Sequence, residues 1–316
     1  MWAVRAREPF LGCFDFFFEL SSAEAERPSR AGRLVVDMSK EIKKSTFPQK
    51  RDIVMYIALI LVMSVIVGAV AQIVAGGVAM NTPFSSMVVY GSSMGLSLVA
   101  MLLYRRSRGG RGNIIRYRLR WFNAWLILWG LLAITAIGVV EEPLFELMPH
   151  SWLEMVENVI GTGVWAICSS VILAPVLEEL IFRGVILGTV RSRWGAVPAI
   201  AASALLFGII HGVPQQVINA AAIGVVLGGI YVATDSIVAV IVLHAINNGL
   251  SYALTTLFPD SDGTLRSFVT NDVLYWGIYG VCVLYLMISL VSAVAALRYR
   301  RRRARAMSNK NSEEHV

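Results

Sequence analysis

The stretch LAPVLEELIFRGVIL, residues 173–187, is apolar almost throughout, yet it carries Glu178, Glu179 and Arg183. A charge near the centre of a membrane helix costs roughly 2.5–3.5 kcal/mol on insertion scales. Three in one short apolar run therefore need a reason. On a helix, Glu179 and Arg183 are four apart and share a face. An ion pair between them would lower the burial cost of each. Glu178 points about 100° away and has no partner on its own helix. A carboxylate left alone in a low dielectric holds a proton more readily, which prepares it as a general base. Pro175, one turn earlier, is expected to kink the helix and free a carbonyl.

The rest of the chain agrees with a membrane setting. It has 316 residues, 56% of them hydrophobic and only 16% charged, and its mean hydropathy is +0.65. That composition excludes an ordinary soluble domain. Apolar stretches run over 53–75, 84–104, 122–140, 162–190, 196–213, 216–233, 235–254 and 272–297. The expected fold is all-α: a polytopic bundle of about eight transmembrane helices around a polar intramembrane cavity, with seven as the alternative. A span needs about 20 apolar residues, and the fifth and sixth stretches are slightly short.

The net charge of +7 does not point to nucleic acid, because the basic residues cluster between apolar stretches. Lys43, Lys44, Lys50 and Arg51 precede the first. Seven arginines from Arg105 to Arg120 separate the second and third. Arg191 and Arg193 follow the fourth, and Arg298 to Arg305 follow the last. The segment 76–83 has no basic residue and 141–161 is acidic. This alternation predicts both termini in the cytoplasm, in a plasma-membrane protein. Residues 1–52 read as a cytoplasmic extension, 53–297 as one membrane domain and 298–316 as a basic tail. Met38 opens a typical lead-in to a first span. Residues 1–37 therefore read as an upstream extension, with a flexible native tail as the alternative. Cys13, Cys168 and Cys282 are far apart and suggest no disulfide framework or zinc finger.

Two further polar islands follow the first. Phe207 and His211 are four apart in LLFGIIHGVP, with Pro214 expected to end that helix. His244 and Asn248 are four apart in VLHAINNG, with Asn247 pointing elsewhere. Counted at 1.5 Å per residue from the cytoplasmic ends, Glu178 lies roughly 20 Å deep, His211 roughly 24 Å, His244 roughly 14 Å and Asn248 roughly 20 Å. All fall within a hydrocarbon core about 30 Å thick. Ionisable residues inside a membrane usually face one interior site. Gly224 and Gly228 form G-x-x-x-G, a pattern of close helix packing.

EELIFR, FGIIH and HAINN resemble the three motifs of the CAAX protease and bacteriocin-processing (CPBP, or Abi) family. Those motifs are a double Glu with Arg four after the second, Phe with His four later, and His with Asn or Asp four later. IGVVLGGIYVATDSIVAVIVLH, residues 223–244, is similar to the glycine-rich link into the last motif. The resemblance covers 162–254. It implies an intramembrane endopeptidase related to type II CAAX prenyl proteases. Glu178 and His211 would activate a water, His244 and Asn248 would face the oxyanion, and Glu179, Arg183 and Phe207 would support them. The partners implied are the lipid bilayer and a peptide or protein substrate, in CAAX-type or bacteriocin processing or in self-immunity.

Glu178, His211 and His244 would be the ligands if Zn²⁺ were bound. The H-E-x-x-H arrangement of many zinc hydrolases is absent, so a glutamate mechanism without metal is the expectation. A proton-coupled transporter would also bury such residues, but usually with repeated halves, which the sequence lacks. A non-catalytic scaffold or immunity protein is the other alternative.

Overall fold

The computed structural model describes residues 47–75, 82–109, 117, 119, 122–149, 162–258, 261 and 263–313. The extension 1–37 and most of the acidic segment 141–161 lie outside them. The chain divides into two units. Thr46–Val283 holds every candidate site residue; of the other, the described part is the helical stretch 284–313.

Every regular element among the described residues is helical. In chain order, α1 is Lys50–Val74, α2 Pro83–Gly109 and α3 Ala124–Phe145. The long α4, Val164–Trp194, contains the opening stretch. A short α5, Ala196–Ile209, is followed by α6, Pro214–Thr234, and α7, Ile237–Leu257. A single turn, α8, Leu265–Phe268, leads into α9, Asp272–Glu313. Seven of these helices are long and apolar enough to cross a membrane.

The fifth apolar stretch is shorter than the sequence suggested. It forms the 14-residue α5, about 21 Å long and below spanning length. Nor does Pro214 end that helix. The chain turns at Gly212, whose φ is +75°, and Pro214 opens α6. That placement suits a residue with a fixed φ and no N–H to lose at a helix start.

Outward faces carry exposed Val, Ile and Leu, such as Val65, Ile73 and Leu103, as lipid contact requires. The interior is built around α4. Ile181, Phe182, Val185, Ile186 and Leu187 are fully buried. The first four pack with Tyr56 and Ile60 of α1, Met94 and Met101 of α2, and Phe207 of α5, and Leu187 packs with Val190, Ala199 and Val232. A second cluster joins α3, α6 and α7 through Ile127, Ile134, Ile223, Leu227, Val240 and Leu243.

Basic helix ends meet at one end of this unit. Asp52 accepts bonds from Tyr104 at 2.6 Å and Arg108 at 3.3 Å. Arg105 donates to Thr189, and Tyr56 contacts the same hydroxyl at 3.4 Å. Arg191 pairs with Asp235 at 2.7 Å, and Arg193 donates to the Pro48 carbonyl at 2.6 Å. The first turn of α1 and the basic ends of α2 and α4 are thereby tied together.

The G-x-x-x-G pattern sits in a tight crossing of α6 over α5. A Cβ on Gly224 would lie 2.9 Å from the Ala204 Cα, and one on Gly228 3.3 Å from Ile200. A Cβ on Gly229 would meet nothing within 4 Å. Gly224→Ala should therefore lower thermal stability, since overpacking costs about 1–3 kcal/mol. Gly229→Ala should be neutral or mildly stabilising through its helix propensity. Thermal melts of the two variants in one detergent check this; equal behaviour would contradict the crossing.

Candidate active site

The winding of α4 sets the site. It contains two π-helical segments, Cys168–Leu173 and Leu180–Leu187, on either side of Ala174–Glu179. In the first segment the Ala174 N–H reaches the Ser169 carbonyl, five residues back. The next bond in that register would run from residue 175 to the Ser170 carbonyl, but Pro175 has no N–H to give. The freed carbonyl is taken by Asn248 of α7, whose Nδ2 donates to it at 2.8 Å. The sequence expectation that Pro175 releases a carbonyl thus has a specific partner. In the second segment, the Tyr117 hydroxyl donates to the Leu180 carbonyl at 3.4 Å. Burial pushes that phenol up to about 12, so it keeps its donor proton at neutral pH.

Glu179 and Arg183 form the ion pair their spacing predicts, Nη1 to Oε1 at 2.7 Å with both side chains fully buried. Arg183 also donates to the Gly224 carbonyl at 3.4 Å. Its guanidinium carbon lies 4.6 Å from the centre of the Phe207 ring, a cation–π distance. One arginine therefore binds α4 to α5 and α6. The same Glu179 Oε1 holds His244 Nδ1 at 2.9 Å. An ionised carboxylate only accepts, so Nδ1 carries the proton. The ring is then fixed with Nε2 turned to Glu178, 3.7 Å from Oε2.

Glu178 is not partnerless. The Tyr90 hydroxyl, reaching in from α2, donates to its Oε1. Tyr90 escaped the sequence reading because α2 looks like a generic span. The signal was nonetheless present in the small, polar run YGSSMGLS, residues 90–97. Ser93 and Ser97 of that run are buried and bond to backbone carbonyls of their own helix.

His211 lies in the turn after α5 rather than on the helix. Its Nδ1 is 2.8 Å from the Phe207 carbonyl, again an acceptor that fixes the proton on Nδ1 and leaves Nε2 free. The Phe207 ring packs against both histidines, with centroids 5.0 Å from His211 and 5.6 Å from His244, both edge-on. Thus Glu178, Glu179, Arg183 and His244 form one connected polar cluster. His211 joins it through Phe207, and Asn248 stands one turn beyond His244 on α7. The Asn247 amide donates to Asn248 Oδ1 at 3.3 Å.

The zinc set Glu178, His211 and His244 is not brought into ligating positions. Among the described residues, no three His, Cys, Asp or Glu are arranged to hold a metal ion. The ring of Phe207 packs against both imidazoles, and one Glu178 oxygen is already taken by Tyr90.

Residues 160–250 match the family model of the type II CAAX prenyl endopeptidase Rce1-like proteins. The likeness to the CAAX-protease family is carried by this segment. The family segment runs from the start of α4 into α7 and contains all seven motif residues; Tyr90 and α1 to α3 lie outside it. No curated protein and no solved structure matches the chain.

The buried pair gives a stability test. Arg183→Met should destabilise by about 3–5 kcal/mol, because Glu179 would be left buried without its cation. Adding Glu179→Gln should recover part of that loss. Melting temperatures of the two single variants and the double variant form the cycle; additive losses would contradict a direct pair.

Proposed function

We propose that this chain is an intramembrane endopeptidase that hydrolyses a peptide bond with water activated by Glu178. The observation that carries the reading is the buried Glu178–His244 pair at 3.7 Å, with His244 held from behind by Glu179. A structural ion pair alone has no use for a second carboxylate facing the far nitrogen of a fixed imidazole. The family match of residues 160–250 supports the same chemistry.

The step balances as follows. Water loses a proton to Glu178 Oε2, assisted by the free Nε2 of His211, and its oxygen bonds to the scissile carbonyl carbon. The carbonyl π electrons move to oxygen. The oxyanion is met by the second N–H of Asn248 and, when the His244 ring enters the step protonated on both nitrogens, by its Nε2–H, Nδ1 being held by Glu179. One Asn248 N–H is held by the Ser170 carbonyl, which orients the other. Collapse of the intermediate restores the carbonyl and breaks the C–N bond. Glu178 returns its proton to the leaving amine. Preorganised donors of this kind act most strongly where water is excluded. The likeness of residues 160–250 to the type II CAAX prenyl endopeptidases makes prenylated CAAX peptides the first substrate class to test, with unmodified peptides as the comparison. The membrane face carrying the basic helix ends is assigned to the cytoplasm.

The test is peptide cleavage by purified protein in detergent or vesicles, with and without a strong chelator. Wild type should cleave and be indifferent to chelator. Glu178→Gln keeps the shape but cannot accept the proton, so turnover should fall to background. Asn248→Ala should retain measurable activity about 10²–10³-fold down, the usual effect of losing one oxyanion donor. Chelator inactivation reversed by Zn²⁺ would overturn the metal-free mechanism. A wild-type protein that cleaves no peptide would favour a scaffold or transporter.

A further inference from the structure

We propose that Tyr90 is a positioning residue for the base: it binds Oε1 of Glu178 and thereby dedicates Oε2 to proton transfer. The inference rests on the endopeptidase reading above. It deepens that reading by adding a helix, α2, that lies outside the matched family segment.

A glutamate side chain has three rotatable bonds and two equivalent oxygens. In a low-dielectric interior, a base that turns freely loses the near-attack geometry on which its rate depends. Glu178 is oriented from two sides. The Tyr90 hydroxyl donates to Oε1, and His244 Nε2 stands 3.7 Å from Oε2. The first is a charge-assisted bond, the stronger kind. The second, at 3.7 Å, is longer than a hydrogen bond. The tyrosine therefore fixes the carboxylate, while the oxygen facing His244 keeps its lone pairs for a water.

The local packing of α2 places Tyr90 for this role. Its neighbour Gly91 lies against Leu173 of α4, where an added Cβ would sit 2.7 Å from Leu173 Cδ2. The absent side chain lets the two helices approach at this level. Ser93 donates to the Tyr90 carbonyl at 3.0 Å, so that face of α2 stays small and internally satisfied. On α4 two points meet α2 in order: Leu173 against Gly91 and Glu178 against the Tyr90 hydroxyl. Tyr90 touches the base and not the reacting atoms, so its effect belongs to turnover rather than to substrate affinity.

Tyr90→Phe removes one oxygen and keeps the ring. Steady-state cleavage should show kcat lowered about tenfold with KM within about twofold, the rate equivalent of losing one hydrogen bond to a charged group. A merely structural tyrosine would lower folded yield or melting temperature and leave kcat per folded molecule unchanged. The second measurement uses Glu178→Asp, which draws the carboxylate back by one methylene and out of reach of the hydroxyl. On the residual activity of Glu178→Asp, adding Tyr90→Phe should have no further effect, so the two losses are strongly non-additive. Unchanged kcat in Tyr90→Phe, or losses that simply multiply in the double variant, would overturn the inference. If wild type cleaves nothing, the endopeptidase reading falls and this one with it. An active wild type beside an equally active Tyr90→Phe sinks this one alone.

Discussion

The rest of the site depends on one buried contact, the Glu179–Arg183 ion pair. Neither charge reaches solvent, so each is tolerable only because the other is in place. Such a pair adds little net stability compared with a well-packed apolar core. What it supplies is position. Arg183 donates to Glu179 from Nη1 and to the Gly224 carbonyl from Nη2 and lays its face on Phe207. Glu179 shares one oxygen between Arg183 and His244. Four helices, α4 to α7, are thereby referred to a single pair.

Function follows from what that pair leaves over. Because Glu179 takes His244 Nδ1, the opposite nitrogen is aimed at Glu178. Because Pro175 cannot donate to the Ser170 carbonyl, Asn248 is drawn to it and held one turn from His244. The irregular winding of α4 is thus a means of orienting polar groups within a membrane helix. A regular α-helix would satisfy its own carbonyls and offer Asn248 none. Non-helical hydrogen bonding at this depth is sustainable only where neighbouring helices supply the missing partners, and α7 and Tyr117 do so.

Much of this was legible in the sequence, and the parts that were not share a cause. Spacing at four residues gave the Glu179–Arg183 pair and put His244 and Asn248 on one face, because those contacts are local to a helix. The freed carbonyl near Pro175 was legible for the same reason. Contacts between helices were not. Nothing in the spacing says that His244 is held by Glu179 before it faces Glu178, or that Tyr90 of α2 reaches the base. His211 was placed on a helix because its four-residue separation from Phe207 fits one. The turn at Gly212 ends that helix two residues earlier, and the same separation is met by a ring bonded to the Phe207 carbonyl. The length of the fifth helix was misjudged because hydropathy runs on through Ile210 to Val213, whereas the turn at Gly212 follows a helix that ends at Ile209.

The most direct test of the account is the protonation of the His244 ring, read by ¹⁵N NMR of histidine-labelled protein and assigned by the loss of its signals in His244→Gln. Nδ1 must carry a proton, since Glu179 can only accept, and Glu179→Gln should perturb the Nδ1 signal more than the Nε2 signal. A neutral ring in wild type with a bare Nδ1 and its proton on Nε2 would contradict the account, because His244 would then not be held by Glu179.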